Sequence, residues 1–162
     1  MRKTHFYGTL VSERKGVKVL KQITVFLENK PGRMEEVTGC LANCGINLHA
    51  LSIADTTDFG ILRIIVSEPE KAVKVLKENN FMVKTAEVAA IAIGHSPGSL
   101  HTVLQKLREL NISIEYMYAF TSRHKEHDAI VILRLDNQSD VIDKLASGGI
   151  FVLGDELLGQ LG

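Results

Sequence analysis

The chain carries nearly the same message twice, and that repeat limits what it can fold into. Asn29-Lys30-Pro31-Gly32-Arg33 opens an amphipathic stretch that closes at Gly45-Ile46-Asn47-Leu48. His95-Ser96-Pro97-Gly98-Ser99 opens a second, which closes at Asn111-Ile112-Ser113-Ile114, 66 residues later at both ends. Farther on the offset is 69, because Ala72-Val73-Lys74-Val75-Leu76 answers Val141-Ile142-Asp143-Lys144-Leu145. One insertion before Asp128 accounts for the change. Two copies of a unit of roughly 70 residues are therefore expected, each too small to bury much surface alone and each relieved by a shared sheet or interface.

Within each copy the hydrophobic period alternates between two and 3.6. Ile23, Val25 and Leu27 alternate with Thr24, Phe26 and Glu28, as in a strand. Pro31 is expected at the first helical position, Met34, Val37, Leu41 and Cys44 follow at helical spacing, and Gly45 closes the helix with positive φ. Strands are expected over 48–54 and 61–66, a helix opened by Ser67-Glu68-Pro69-Glu70, and extended chain over 81–83 and 88–93. The second copy repeats the order: a helix through Leu100, Val103, Leu104, Leu107 and Leu110, strands over 113–120 and 129–135, a helix ending before Gly148-Gly149, and a last strand over 150–153. Each copy reads βαββαβ. The fold class is α+β: two tandem ferredoxin-like βαββαβ units with antiparallel sheets and helices on one face. The boundaries read as 1–20 for a basic leader (an arm or a disordered tail), 21–88 for the first unit and 89–162 for the second. Residues 86–93 serve both units, and a continuous strand there would join the two sheets.

Charge is balanced overall but unevenly placed. Residues 1–21 hold six Lys/Arg and one Glu, whereas the rest holds 13 Lys/Arg against 18 Asp/Glu. The repeated body is mildly acidic, a poor default for nucleic acid, and its central strands 61–66 and 129–135 lack the aromatics of an RNA-binding sheet. No apolar run reaches the length that spans a bilayer, and the N-terminus has no apolar signal region, so no membrane partner is expected. Cys40 and Cys44 lie on one helical face, read as small core side chains, and with no export signal they point to the cytoplasm.

Chemistry concentrates where the first strand meets the first helix. Gly32 bares the backbone there, and the free N–H groups of a first helical turn, with the positive helix end, suit a carboxylate. Asn29 and Asn47 add amides that both donate and accept, which a zwitterion needs. His124-x-x-His127 with Asp128 is better read as a solvated loop than a metal clip, so neither metal nor cofactor is expected. Arg63, set among Ile61 and Ile65, would pair with an acid across an interface or with a ligand carboxylate. Met117 with Tyr116 and Tyr118 reads as sheet packing. An acylphosphatase-like enzyme on this layout would need an arginine in a phosphate-cradling loop, and Arg33 falls inside the helix start. No Ser/His/Asp or paired-carboxylate arrangement stands out, so no catalysis is expected.

The run Leu27-Glu28-Asn29-Lys30-Pro31-Gly32, a helix, then Cys44-Gly45-Ile46-Asn47-Leu48 resembles the ACT domain, as two tandem copies over residues 22–155 or so. Ala54 to Arg63 looks like the same stretch in small stand-alone tandem proteins of that family. The resemblance implies a ligand-binding regulatory module paired through sheets or helices. It also implies an amino-acid or related carboxylate ligand, a homodimer, and a regulated enzyme or other protein as partner. It places ligand contacts at Asn29, Lys30, Pro31, Gly32, Arg33, Asn47 and Leu48 in the first copy. In the second they fall at His95, Pro97, Gly98, Ser99 and Ser113, with His95 and Ser113 replacing the two asparagines. Leu27 is apolar where the serine-sensing members carry a polar residue, which argues against serine itself. The alternative is an interaction module that holds no ligand.

Overall fold

The computed structural model describes residues 19–55, 59–94, 96–121, 129–136 and 138–154. Residues 1–18, with almost all of the basic leader, lie outside these, as do His95, His124, His127 and Asp128. In chain order the elements are β1 (Leu20–Glu28), α1 (Arg33–Asn43), β2 (Leu48–Asp55), β3 (Phe59–Val66), α2 (Pro69–Glu78) and β4 (Met82–Ile93). Then come α3 (Ser99–Glu109), β5 (Ile114–Thr121), β6 (Ala129–Leu135), α4 (Gln138–Ser147) and β7 (Val152–Leu153). The first strand starts at Leu20, three residues before the alternation that begins at Ile23. The last keeps only Val152 and Leu153 of the expected 150–153, because Ile150 is spent on closing α4, where its N–H bonds Leu145 O. Among the described residues, no helix is long and apolar enough to cross a membrane.

Among the described residues every strand pairing is antiparallel. They form one sheet of order β2-β3-β1-β4-β6-β5, with β7 also on β4. The expected pair of sheets is thus one continuous sheet, and the reason is β4. The two extended stretches read from sequence fuse into a single 12-residue strand. Its first part pairs with β1 through Val88, and from Ala89 onward it pairs with β6. Ala90 and Ile91 pair with β6 and also with β7, so β6 and β7 occupy opposite edges of the strand. Each half keeps ferredoxin-like order: β4-β1-β3-β2, and β7-β4-β6-β5.

Helices cover one face of each half. Ile23, Val25, Leu27, Leu62 and Ile64 pack under Val37, Leu41, Ala72 and Leu76 in one core. Ala89, Ile91, Val131 and Leu133 pack under Val103, Leu107, Val141 and Leu145 in the other. Each fully buried Leu or Ile contributes about 1.5–3 kcal/mol relative to leaving it in water. A third cluster joins Leu20, Ala50, Ile65, Val88 and Ala90 to Ile130, Ile132 and Leu153 on the face without helices. On a flat sheet β3 and β5 would lie four strand spacings apart, about 19 Å. Yet Arg63 on β3 sits 4.0 Å from the centroid of the Tyr116 ring on β5. The sheet therefore folds over so that its two helix-free faces meet.

The four helices among the described residues end the same way. The residue after each C-cap is left-handed: Gly45 (φ 69°), Asn80 (62°), Asn111 (55°) and Gly149 (80°). The next residue, Ile46, Phe81, Ile112 or Ile150, donates its N–H back to Leu41, Leu76, Leu107 or Leu145. This hydrogen-bonded ending with an apolar residue behind it satisfies the orphan carbonyls of the last turn. The repeated Gly/Asn-Ile step of the sequence is thereby explained by helix closure alone.

Candidate functional site

The turn from β1 into α1 places Asn29, Lys30, Pro31, Gly32 and Arg33 in order. Pro31 lies in the turn and not at the first helical position. That place goes to Arg33, with Gly32 as N-cap at φ 87°. The reason is the left-handed turn itself, which only a residue without Cβ adopts without strain. Gly98 does the same before α3, at φ 92°. The backbone binds across both junctions, Glu36 N to Gly32 O at 2.9 Å and Thr102 N to Gly98 O at 3.0 Å. A Cβ placed on either glycine would meet nothing within 4 Å, so the space outside both helix mouths is open. Replacing Gly32 or Gly98 by Ala therefore costs backbone strain only, about 1–2 kcal/mol. Asn, which tolerates this region better, recovers part of the loss. Urea denaturation of the four single variants checks this, and equal stability of the Ala variants and the parent would contradict it.

The two mouths differ electrostatically. α1 carries Glu35 and Glu36 in its first turn, whereas α3 has no acid there. Glu36 is paired with Arg33, and Arg33 lies 4.6 Å from the centroid of the Phe81 ring with its Nε buried and unpartnered. Arg33 is thus engaged on the helix side. Lys30 bridges Glu28 at 2.6 Å, and that hydrogen bond holds the Glu28 carboxyl below its ordinary range. The Asn29 Oδ1 and Ile53 Cδ1 each lie 3.6 Å from where a Cβ on Gly60 would be. Gly60 and Ile53 thus lie close to the Asn29 amide, a part that sequence reasoning missed. At α3, the Ser96 and Ser99 hydroxyls are 2.8 Å apart, beside Pro97.

Asn47 and Ser113 stand at the far ends of α1 and α3. Asn47 N donates to Ser67 Oγ and Ser67 N to Asn47 O, both at 3.0 Å. Asp136 N to Ser113 O, at 3.4 Å, is the second copy's weaker version. Leu48 is partly buried against the first core. A groove of about 650 Å³ opens beside Asn47, lined among others by Lys21, His49, Ser67, Glu70 and Glu87. Lys21 bridges Glu70 across it at 2.5 Å. His49 sits at an irregularity of the β2–β3 ladder with its Nδ1 buried and unpartnered, and desolvation lowers its pKa. A shallower groove of about 350 Å³ lies beside Ser113, with Leu104, Arg108 and Asn111.

The structure does not bring the two ends together. Asn29 and Asn47 flank an 11-residue helix, about 16 Å long, which no small amino acid spans. The residues lining the Asn47 groove run from Val19 to Glu87, and those lining the Ser113 groove from Leu104 to Ile114.

The guanidinium of Arg63 lies over the Tyr116 ring. An aromatic face across the fold suits the cation without a carboxylate. Cys40 and Cys44 are free thiols packed at the edge of the first core. Among the described residues, no group of three or more His, Cys, Asp or Glu could hold a metal.

The protein BT0572 from Bacteroides thetaiotaomicron has a crystal structure similar to this chain at 44% identity and a TM-score of 0.80, over 86% of this chain and 95% of that one. The regulatory subunit of aspartate kinase from Thermus thermophilus, in ligand-free form, shares the fold at 16% identity and a TM-score of 0.56, over 83% and 95% of the two chains. A probable acetolactate synthase small subunit from Archaeoglobus fulgidus is 33% identical over 72 residues, 43% of this chain and 45% of that protein, so the match spans under half of that relative. A family model described as an ACT domain pair matches residues 18–155. With the doubled βαββαβ order and the paired Pro-Gly junctions already in view, that match over most of the chain places this protein in the ACT domain pair family.

Proposed function

We propose that this ACT domain pair is an amino-acid sensor that catalyses nothing itself and passes the occupancy of its site to an enzyme or other protein. The observation that carries the reading is the split site. An open helix mouth with Asn29 stands at one end of β2 and α1, and Asn47 with its groove stands at the other. Among the described residues β2 ends the sheet on one side and β5 on the other, and Leu51 and Ile53 on β2 are half exposed, at 50% and 55%. A second copy pairing its own β2 antiparallel would set the Asn29 end of one chain against the Asn47 end of the other and cover both apolar side chains. The backbone N–H groups at Gly32 or Gly98 then take the carboxylate, and asparagine oxygens take the ammonium. The Pro97–Gly98–Ser99 mouth of the second copy, where α3 has no first-turn acid, would offer a further carboxylate site of the same kind.

The names of two relatives, a regulatory subunit of aspartate kinase and a probable acetolactate synthase small subunit, support a partner enzyme that handles amino acids or their keto-acid precursors. A coupling of about 1–3 kcal/mol suffices for such regulation, and a ligand of so few atoms binds in the micromolar range or weaker. Calorimetry and thermal shift with the twenty amino acids and their keto acids test this. Saturable binding by one or a few of them is expected. Silence across the panel would favour the alternative, an interaction module without a ligand.

A further inference from the structure

We propose that Gln22, Arg63, Tyr116 and Tyr118 form a polar latch that locks the two units into one register and makes them respond as a single body. Gln22 is fully buried, and it is the one polar side chain so buried among the described residues. Its Nε2 donates to Tyr116 Oη at 2.7 Å, and its Oε1 accepts from Tyr118 Oη at 3.0 Å. A second, longer donation runs from Nε2 to Thr24 Oγ1 at 3.4 Å. Arg63 adds its guanidinium, 4.0 Å from the Tyr116 ring centroid. Gln22 and Arg63 belong to the first unit, and both tyrosines to the second, 94 and 96 residues along from Gln22.

The setting gives the cluster its role. The seam around it is apolar: Leu20, Ala50 and Ile65 on one side, Ile130 and Ile132 on the other. Apolar contact is non-directional and tolerates sliding, whereas a buried amide satisfied at both ends fits only one register. Burial, the neighbouring Tyr116 and, in opposition, Arg63 set the Tyr118 phenol, with the net effect of raising its pKa, so it stays a donor. The cluster is also close in sequence to a candidate site of each unit. Gln22 shares β1 with the approach to Asn29. Arg63 follows three residues after Gly60, which the Asn29 amide overlies. Tyr116 follows three residues after Ser113. Rigid strands thus lead from each site to the latch. A change in how the units sit must break it, which is what a two-state coupling element requires.

Hydrogen exchange on the full chain, without any ligand, tests the latch. Tyr118→Phe removes one hydroxyl, and Gln22→Leu removes the hub. Each variant is expected to raise amide exchange about tenfold or more in the opposite unit as well as its own. For Gln22→Leu that means peptides from β5 and β6, and for Tyr118→Phe peptides from β1 and β3. The double variant should add little to Gln22→Leu alone, because both act on one network. Exchange changes confined to the mutated unit, or additive effects in the double variant, would overturn the proposal. Should Gln22→Leu fail to fold, Tyr118→Phe with Arg63→Leu carries the same cross-unit readout.

Discussion

Ile91→Ala should lower the stability of the whole chain by about 2–5 kcal/mol, the range for emptying a fully buried Ile site. Ile91 is fully buried in the second core and faces Val131 on one side and Val152 on the other. What makes the site unusual is its strand. β4 gives its first half to β1 and its second half to β6 and β7. A loss at Ile91 is therefore felt in a strand that the first unit also needs as its neighbour. Urea unfolding followed by far-ultraviolet circular dichroism should show one transition at a lower midpoint, matched by hydrogen exchange in β1 and β3. Two separated transitions, with the first unit unchanged, would show that the shared strand does not couple the halves.

Much of this architecture was legible because the chain repeats and because its periods are clean. The 3.6-residue stripe of Leu100, Val103, Leu104 and Leu107 and the alternation of Ile23, Val25 and Leu27 fix element type and inward face. The turn chemistry at Gly45 fixes where the first helix stops. What the residues could not disclose is long-range. Gln22 looks like an ordinary polar position of an alternating strand, since nothing nearby in sequence says that Tyr116 and Tyr118 will fold over it. Arg63 invited an ionic partner for the same reason, since nothing nearby in sequence says that an aromatic ring 53 residues later will meet its guanidinium. Pro31 was misplaced by two positions because a proline before a left-handed glycine reads the same as one opening a helix. The candidate site was half legible. The paired Pro-Gly junctions mark the mouths, but part of their repetition serves the left-handed turn that opens each helix. The distance between Asn29 and Asn47 depends on helix length and strand register, which only a folded chain displays.

Asn29→Ala and Asn47→Ala should each weaken binding of the amino acid found by calorimetry by about 10–150-fold, the loss of a hydrogen bond to a charged group at 1.5–3 kcal/mol. Neither change should unfold the chain, as both residues lie outside the helices and strands. Mixing the two variants after brief exposure to denaturant decides whether a pocket is built from two chains. In a two-fold dimer, half the random pairs are mixed, and each mixed pair holds one pocket with both asparagines intact and one with neither. Titration of the mixture should then recover parental affinity at about a quarter of the parental sites, by that pairing count. A mixture as weak as either variant alone would contradict a pocket shared between copies and place the ligand within a single chain or elsewhere.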